Sequence, residues 1–197
     1  MAACRKETQI LKAAENLFTG RRFHEVTMDD VCETAGVGKG TIYRYFKDKD
    51  DLFLRVMVAG HAELCQLVRD AASQDGALEG RLARILREIH KYIGGRRRLF
   101  RLTMIVESGY TQFKGPIRET FQEKRRELGR EVAALIRRGV EQKELRGDLP
   151  AELMADCLLG MLRAAVAHPC ESKSEAASPA QVARLFMKGA AAPGPTG

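Results

Sequence analysis

No stretch of this 197-residue sequence approaches the roughly 18 consecutive apolar residues that a membrane-spanning helix needs. The opening Met1-Ala2-Ala3-Cys4-Arg5-Lys6-Glu7 turns polar at once, without the apolar stretch of a secretory signal. Both absences lead us to expect a cytoplasmic protein with no membrane partner. A disulfide or zinc framework is missing too. The five cysteines, Cys4, Cys32, Cys65, Cys157 and Cys170, are odd in number and irregular in spacing, and no C-x-x-C pair occurs. Cys32 and Cys157 fall on apolar stripes and read as small core residues, with a redox-sensing thiol as the alternative. There is no Walker loop, no G-x-S-x-G and no H-E-x-x-H, so no enzyme is expected. His61 and Cys65 make half a metal site, but His24, His90 and His168 are too scattered to complete it. No cofactor is expected.

What is present is an ordinary globular composition, 45% hydrophobic and 30% charged, with 18 Gly and 6 Pro. Apolar residues recur at three to four positions almost everywhere, and alternating strand patterns are absent. The expected fold class is all-α, with about nine helices. The first runs from about Lys6 to Phe18, with Ile10, Ala13, Ala14 and Leu17 inward. The second follows Thr27, an N-cap with Asp30 in the capping-box position, and stops at Gly36. A third covers about Lys39 to Phe46. Asp48 caps a fourth that reaches about Ser73, before the break at Gln74-Asp75-Gly76. The fifth carries Leu78, Leu82, Ile85, Ile89 and Ile93 and breaks at Gly94-Gly95. A sixth covers about Leu99 to Ser108. Gly115-Pro116 opens a long seventh, Asp148-Leu149-Pro150 an eighth reaching about Ala167, and Ser178-Pro179 a ninth stopping at Gly189. The expected domains are a helix-turn-helix over residues 1–48, a connecting helix over 49–74 and an effector-binding and dimerisation domain over 75–190. Residues 191–197 read as a disordered tail.

The net charge of +7 is unevenly spread. Residues 81–146 hold 18 basic and 8 acidic side chains, whereas residues 1–60 hold 10 and 9. Global charge is therefore weak support for DNA binding, and a local motif has to supply it. Between Val31 and Phe46, Gly36 permits a tight turn between two helices. Val37, Ile42 and Phe46 anchor the second of them, which leaves Lys39, Thr41, Tyr43, Arg44 and Tyr45 pointing outward. Two tyrosines flanking an arginine expose apolar area that a DNA duplex would cover. Arginine suits a bidentate contact with guanine. Lys39, Thr41 and the tyrosine hydroxyls suit phosphate oxygens. Gly38 and Gly40 keep side chains out of the way of a close approach. Thr27 turns the N-terminus of its helix toward a phosphate, and Lys49 is placed to hold the same strand. The bland alternative is the solvated face of a three-helix bundle.

The run from Ala35-Gly-Val-Gly-Lys-Gly-Thr-Ile-Tyr-Arg-Tyr-Phe-Lys-Asp-Lys-Asp-Asp-Leu-Phe53 resembles the tetracycline-repressor (TetR) family of transcriptional regulators, and the similarity spans about residues 5–60. Glu144-Leu-Arg-Gly-Asp-Leu-Pro-Ala-Glu152 and Leu185-Phe-Met-Lys-Gly-Ala190 resemble its last two helices more loosely. The resemblance implies an all-α homodimer with two DNA-binding heads and a helical ligand-binding core. It implies DNA contacts at Thr27, Lys39, Gly40, Thr41, Tyr43, Arg44, Tyr45 and Lys49. Gly38 departs from the serine common in the family, and Arg44 stands at a variable position expected to set base preference. Two heads on a two-fold axis would read a palindromic operator of double-stranded DNA. The eighth and ninth helices are candidates for the dimer surface, through Leu158, Gly160, Met161, Ala164 and Ala165, although some of these must instead face the chain's own core. Tyr92, Met104, Glu107, Phe113 and Phe121 are candidate walls for an unknown small-molecule effector, and each also reads as core or, for Glu107, surface. Arg96-Arg97-Arg98 and Arg101 read as a solvated loop, or as a site for an acidic ligand or partner. The expected function is a repressor released by its effector. The alternatives are a metal- or redox-responsive regulator and a helical interaction protein without DNA binding.

Overall fold

The computed structural model describes residues 2–97, 99, 116–167 and 178–191. The expected sixth helix beyond Leu99 lies outside these residues, and with it Met104, Glu107 and Phe113. Arg98, Arg101, His168, Cys170 and the tail from residue 192 lie outside them as well. Among the described residues there are eight α-helices and no strand: α1 (Ala2–Gly20), α2 (Met28–Ala35), α3 (Lys39–Tyr45), α4 (Lys49–Ala72), α5 (Leu78–Gly95), α6 (Pro116–Glu141), α7 (Ala151–Ala167) and α8 (Pro179–Ala190). A short 3-10 turn, Phe23–Glu25, sits between α1 and α2. No helix among the described residues is long and apolar enough to cross a membrane.

Three helices differ in their bounds from the sequence expectation. α1 spans Ala2–Gly20, not about Lys6 to Phe18. α5 continues through Gly94 and Gly95 instead of breaking before them. Glycine costs a helix only about 1 kcal/mol, and the buried stripe from Leu78 to Ile93 outweighs that near its end. α8 runs past Gly189 to Ala190, which is buried and whose carbonyl accepts the Arg146 N–H at 2.8 Å.

The chain divides into two compact units. One draws on Met1–Ala62 and Arg96–Lys124, the other on Glu63–Gly95 and Arg125–Gly197. In the first, α1 contributes Ile10, Ala14 and Phe18, α2 contributes Val31 and Ala35, α3 contributes Ile42, and α4 contributes Leu52, Phe53 and Val56. Phe46, Leu99 and Phe121 complete this core. Phe53 meets Phe18 and Phe23 edge-on at 5.3 and 5.0 Å between centroids, the geometry that aromatic quadrupoles favour. In the second unit, the buried stripe of α5 packs on α7 and α8. α6 adds Leu128, Val132, Leu135 and Ile136 to the buried residues. Arg69 at the end of α4 donates to Glu131 at 2.8 Å and to Glu127 at 3.4 Å on α6.

α7 carries two apolar faces, which decides between the two readings of Leu158 and corrects the one for Cys157. Met154, Ala155, Leu158 and Leu162 are buried, so Leu158 belongs to the chain's own core. Cys157 is exposed, whereas the sequence placed it in the core. A helix apolar on two sides does not say from its spacing alone which side turns inward.

Candidate nucleic-acid interface

The head is built on a helix whose two ends are both fixed by local chemistry. Thr27 takes an extended backbone, and its hydroxyl oxygen accepts the Asp30 N–H at 3.1 Å. The Asp30 carboxylate in return accepts the Thr27 N–H and the Thr27 hydroxyl, each at 2.8 Å. The backbone N–H of Thr27 is the main cause that holds the Asp30 carboxyl below the usual carboxylate range, followed by the Thr27 hydroxyl, with help from Arg21 at 3.4 Å. At the other end Gly36 adopts φ 60° and ψ 40°, the left-handed conformation that glycine takes without steric cost. Its N–H reaches the Glu33 carbonyl at 3.1 Å, and the Val37 N–H reaches the Cys32 carbonyl at 3.0 Å. Gln9 of α1 donates its side-chain N–H to the Ala35 carbonyl at 2.6 Å. The turn is thus tied down from outside the motif, by a residue that sequence reasoning did not pick out.

α3 begins at Gly38, which offers no side-chain cap. Its carbonyl instead accepts the N–H groups of Thr41 and Ile42 at 2.9 and 3.2 Å. Ile42 and Phe46 are fully buried, four residues apart, and this fixes the rotation of α3 about its axis. Lys39, Gly40, Tyr43 and Arg44 are consequently exposed, Tyr43 at 53%. A Cβ at Gly38 or Gly40 would meet nothing within 4 Å, so the fold itself does not demand glycine at either place. The Arg44 guanidinium lies over the Tyr45 ring at 5.3 Å and makes no ion pair among the described residues.

Two residues are less outward than expected. Thr41 and Tyr45 are half-buried, and Tyr45 packs its ring against the edge of the core beside Phe46. A tyrosine next to a buried phenylalanine lies on the flank of the helix, with part of its apolar body covered. Two lysines are already engaged. The Lys39 ammonium lies 2.7 Å from the Asp29 carboxylate. Lys49 donates to the Phe23 carbonyl at 3.0 Å and sits 4.5 Å from the centre of the Phe23 ring. Lys49 thereby ties the start of α4 to the turn that follows α1.

Outside the head, only Arg96 and Arg97 of the arginine-rich segment are described. Arg96 forms an ion pair with Glu15 of α1, and Arg97 is exposed. Of the candidate effector walls, Tyr92 on α5 is half-buried. Phe121 is 1% exposed and meets the His61 ring of α4 edge-on at 4.9 Å. Among the described residues no three His, Cys, Asp or Glu side chains are grouped to hold a metal ion.

Comparison with known proteins agrees with this geometry. Residues 10–56 match the profile of the bacterial regulatory proteins of the tetR family. Residues 75–167 match that of a tetracyclin repressor-like C-terminal domain. The HTH-type transcriptional regulator YfiR of Bacillus subtilis is 25% identical over 190 residues, covering 93% of this chain and 91% of that protein. A TetR-family regulator from Mesorhizobium loti has the same fold, with a TM-score of 0.76 at 20% identity over 96% of both chains. FadR of Bacillus subtilis, solved in complex with stearoyl-CoA, gives a TM-score of 0.71 at 16% identity, covering 92% of this chain and 95% of FadR. These last two likenesses concern the fold alone.

Proposed function

The chain belongs to the TetR family of bacterial regulators, which are transcription factors and not enzymes, and from that premise we propose that it is a dimeric repressor released from a palindromic operator by a small molecule. The observation that carries the reading is the outward face of α3, where Lys39, Gly40, Tyr43 and Arg44 are exposed on a helix locked by Ile42 and Phe46. In this reading Arg44 contacts base edges, because its guanidinium makes no ion pair among the described residues and can present two donors to a guanine. Lys39, Thr41, Tyr43, Tyr45 and Lys49 hold phosphates, and Gly40 lets the backbone approach closely. Thr27 acts indirectly. Its hydroxyl and its N–H are both taken by Asp30, so it fixes the end of α2 while the first-turn N–H groups face the strand.

One head would bind weakly, and a second copy doubles the site. α7 and α8 leave Leu153, Cys157, Gly160, Met161, Ala164 and Leu185 exposed. Three of them are large, at 49% exposure for Leu153, 36% for Met161 and 63% for Leu185. A stripe that mixes large groups with glycine and alanine suits a symmetric four-helix contact. The two heads would then read half-sites about one helical turn apart. The protein works in the cytoplasm, beside the DNA it binds.

The effector is proposed to be an anionic molecule with an apolar body. FadR, with the same fold, is solved with stearoyl-CoA. The excess of basic residues over positions 81–146 suits a ligand of that charge. Such a ligand releases DNA only by binding the DNA-free form more tightly than the bound form. Genomic fragments selected on the purified protein are expected to contain an inverted repeat, and stearoyl-CoA is expected to release them. Failure to enrich any fragment contradicts the DNA-binding reading, and enrichment unaffected by acyl-CoA thioesters contradicts the effector class.

A further inference from the structure

The lysine that opens the recognition helix is already ion-paired. Lys39 Nζ lies 2.7 Å from Oδ2 of Asp29, and the two side chains are 69% and 62% exposed. Asp29 stands in the first turn of α2, ten residues before its partner, and only the left-handed turn at Gly36 brings them together. A carboxylate in this first turn suits the helix dipole, but the cap does not depend on it. α2 is capped by Thr27 and Asp30 without it. The Asp29 side chain is exposed, and its only hydrogen bond among the described residues is the one from Lys39. For a surface that meets phosphates, this carboxylate is a disadvantage, since it repels the backbone and occupies a cation. The head has few cations to spare, with 10 basic and 9 acidic side chains over residues 1–60.

We propose that Asp29 is an affinity-setting residue, a built-in competitor for DNA phosphate that holds down sequence-independent binding through Lys39. Sequence-independent binding is driven by cations that neutralise phosphates and release condensed counterions. A lysine that must first give up a carboxylate exchanges one ion pair for another, and the carboxylate it leaves behind still repels the strand. The hydrogen bond to Asp29 also raises the pKa of the ammonium, so Lys39 stays charged and the competition is between two anions for a permanent cation. An opposite role would be to hold Lys39 in position for DNA, and the two roles differ in sign.

The inference rests on the reading that α3 meets DNA, and it is tested without knowing the operator. The full-length protein is titrated with a random-sequence duplex over a series of salt concentrations, reading fluorescence anisotropy. Asp29→Asn is expected to bind about threefold to tenfold tighter than the unsubstituted protein at low salt, with a salt slope steeper by up to about 0.9 per head. Glu33→Gln removes the same charge from the same helix, from an exposed side chain with no ion pair among the described residues. It is expected to give a distinctly smaller gain. Lys39→Met is expected to weaken binding, and in that background Asp29→Asn should add no more than Glu33→Gln does. If Lys39→Met weakens binding but Asp29→Asn is no tighter than Glu33→Gln, the inference fails and the reading of α3 stands. If Lys39→Met leaves binding unchanged, both fail. Circular dichroism of each variant checks that the head stays folded, since an unfolded chain of net charge +7 also binds random-sequence DNA.

Discussion

Thr27, Asp30 and Gly36 act through partners no more than four residues away, and each was legible in the sequence for that reason. The capping pair gives a testable prediction. Thr27→Ala removes both hydroxyl bonds and should lower stability by about 1 kcal/mol, measured by urea denaturation. The Asp30 pair also predicts a pH dependence. Its folded-state pKa is depressed, chiefly by the Thr27 N–H, so its contribution is present above the ordinary aspartate pKa near 3.9 and is lost as pH falls through the lower folded value. The stability difference between the unsubstituted protein and Asp30→Asn should be constant from pH 7 to about 5 and shrink below about 4. A difference that instead grew on acidification would contradict the assignment. Contacts with distant partners were not legible. Lys39 with Asp29, Lys49 with Phe23 and Arg96 with Glu15 are separated by 10, 26 and 81 residues, and only the folded chain pairs them.

At the scale of elements, apolar spacing located the helices well but said little about their depth and ends. α7 shows why, because Leu158 and Cys157 are neighbours on two apolar faces with opposite fates. Its inward face becomes visible only when α5 and α8 are packed beside it. Glycines divide in the same way. A Cβ at Gly139 in α6 would lie 2.5 Å from Leu78 Cδ2 and 3.1 Å from Leu145 Cδ1, both side chains being buried. Gly139→Ala should therefore destabilise the protein by about 1–3 kcal/mol through overpacking. At Gly160 a Cβ meets nothing within 4 Å. Gly160→Ala should leave the single chain as stable or stabilise it by up to about 1 kcal/mol. Urea titrations of both variants check the contrast, which reverses if the packing around α6 is loose.

At the scale of the whole molecule, the head was readable because its function is packed into one continuous segment. The first unit nevertheless recruits residues from far along the chain. Leu99 and Phe121 complete its core, and Arg96 pairs with α1. No motif announces such recruitment, because Leu99, Phe121 and Arg96 reach this core or α1 only through the folded chain. The proposed dimer is open to a direct check. In a background with Cys4 and Cys170 replaced by serine, Cys157 is the exposed thiol beside buried Cys32 and Cys65. It should react with a maleimide quickly at low protein concentration and slowly at high concentration. Leu185→Arg should abolish that protection, shift sedimentation to the monomer and weaken operator binding while leaving the head folded. Protection that does not depend on concentration would count against this surface.

The central claim is that the face of α3 reads base sequence, and one comparison tests it most directly. Genomic fragments or random duplexes are selected on the unsubstituted protein and on Arg44→Ala, and the enriched sequences are compared base by base. An inverted repeat is expected with the unsubstituted protein and, for Arg44→Ala, a relaxed preference confined to symmetric positions in the two half-sites, at a cost of about 1–3 kcal/mol there. Identical base preferences for the two proteins would contradict it.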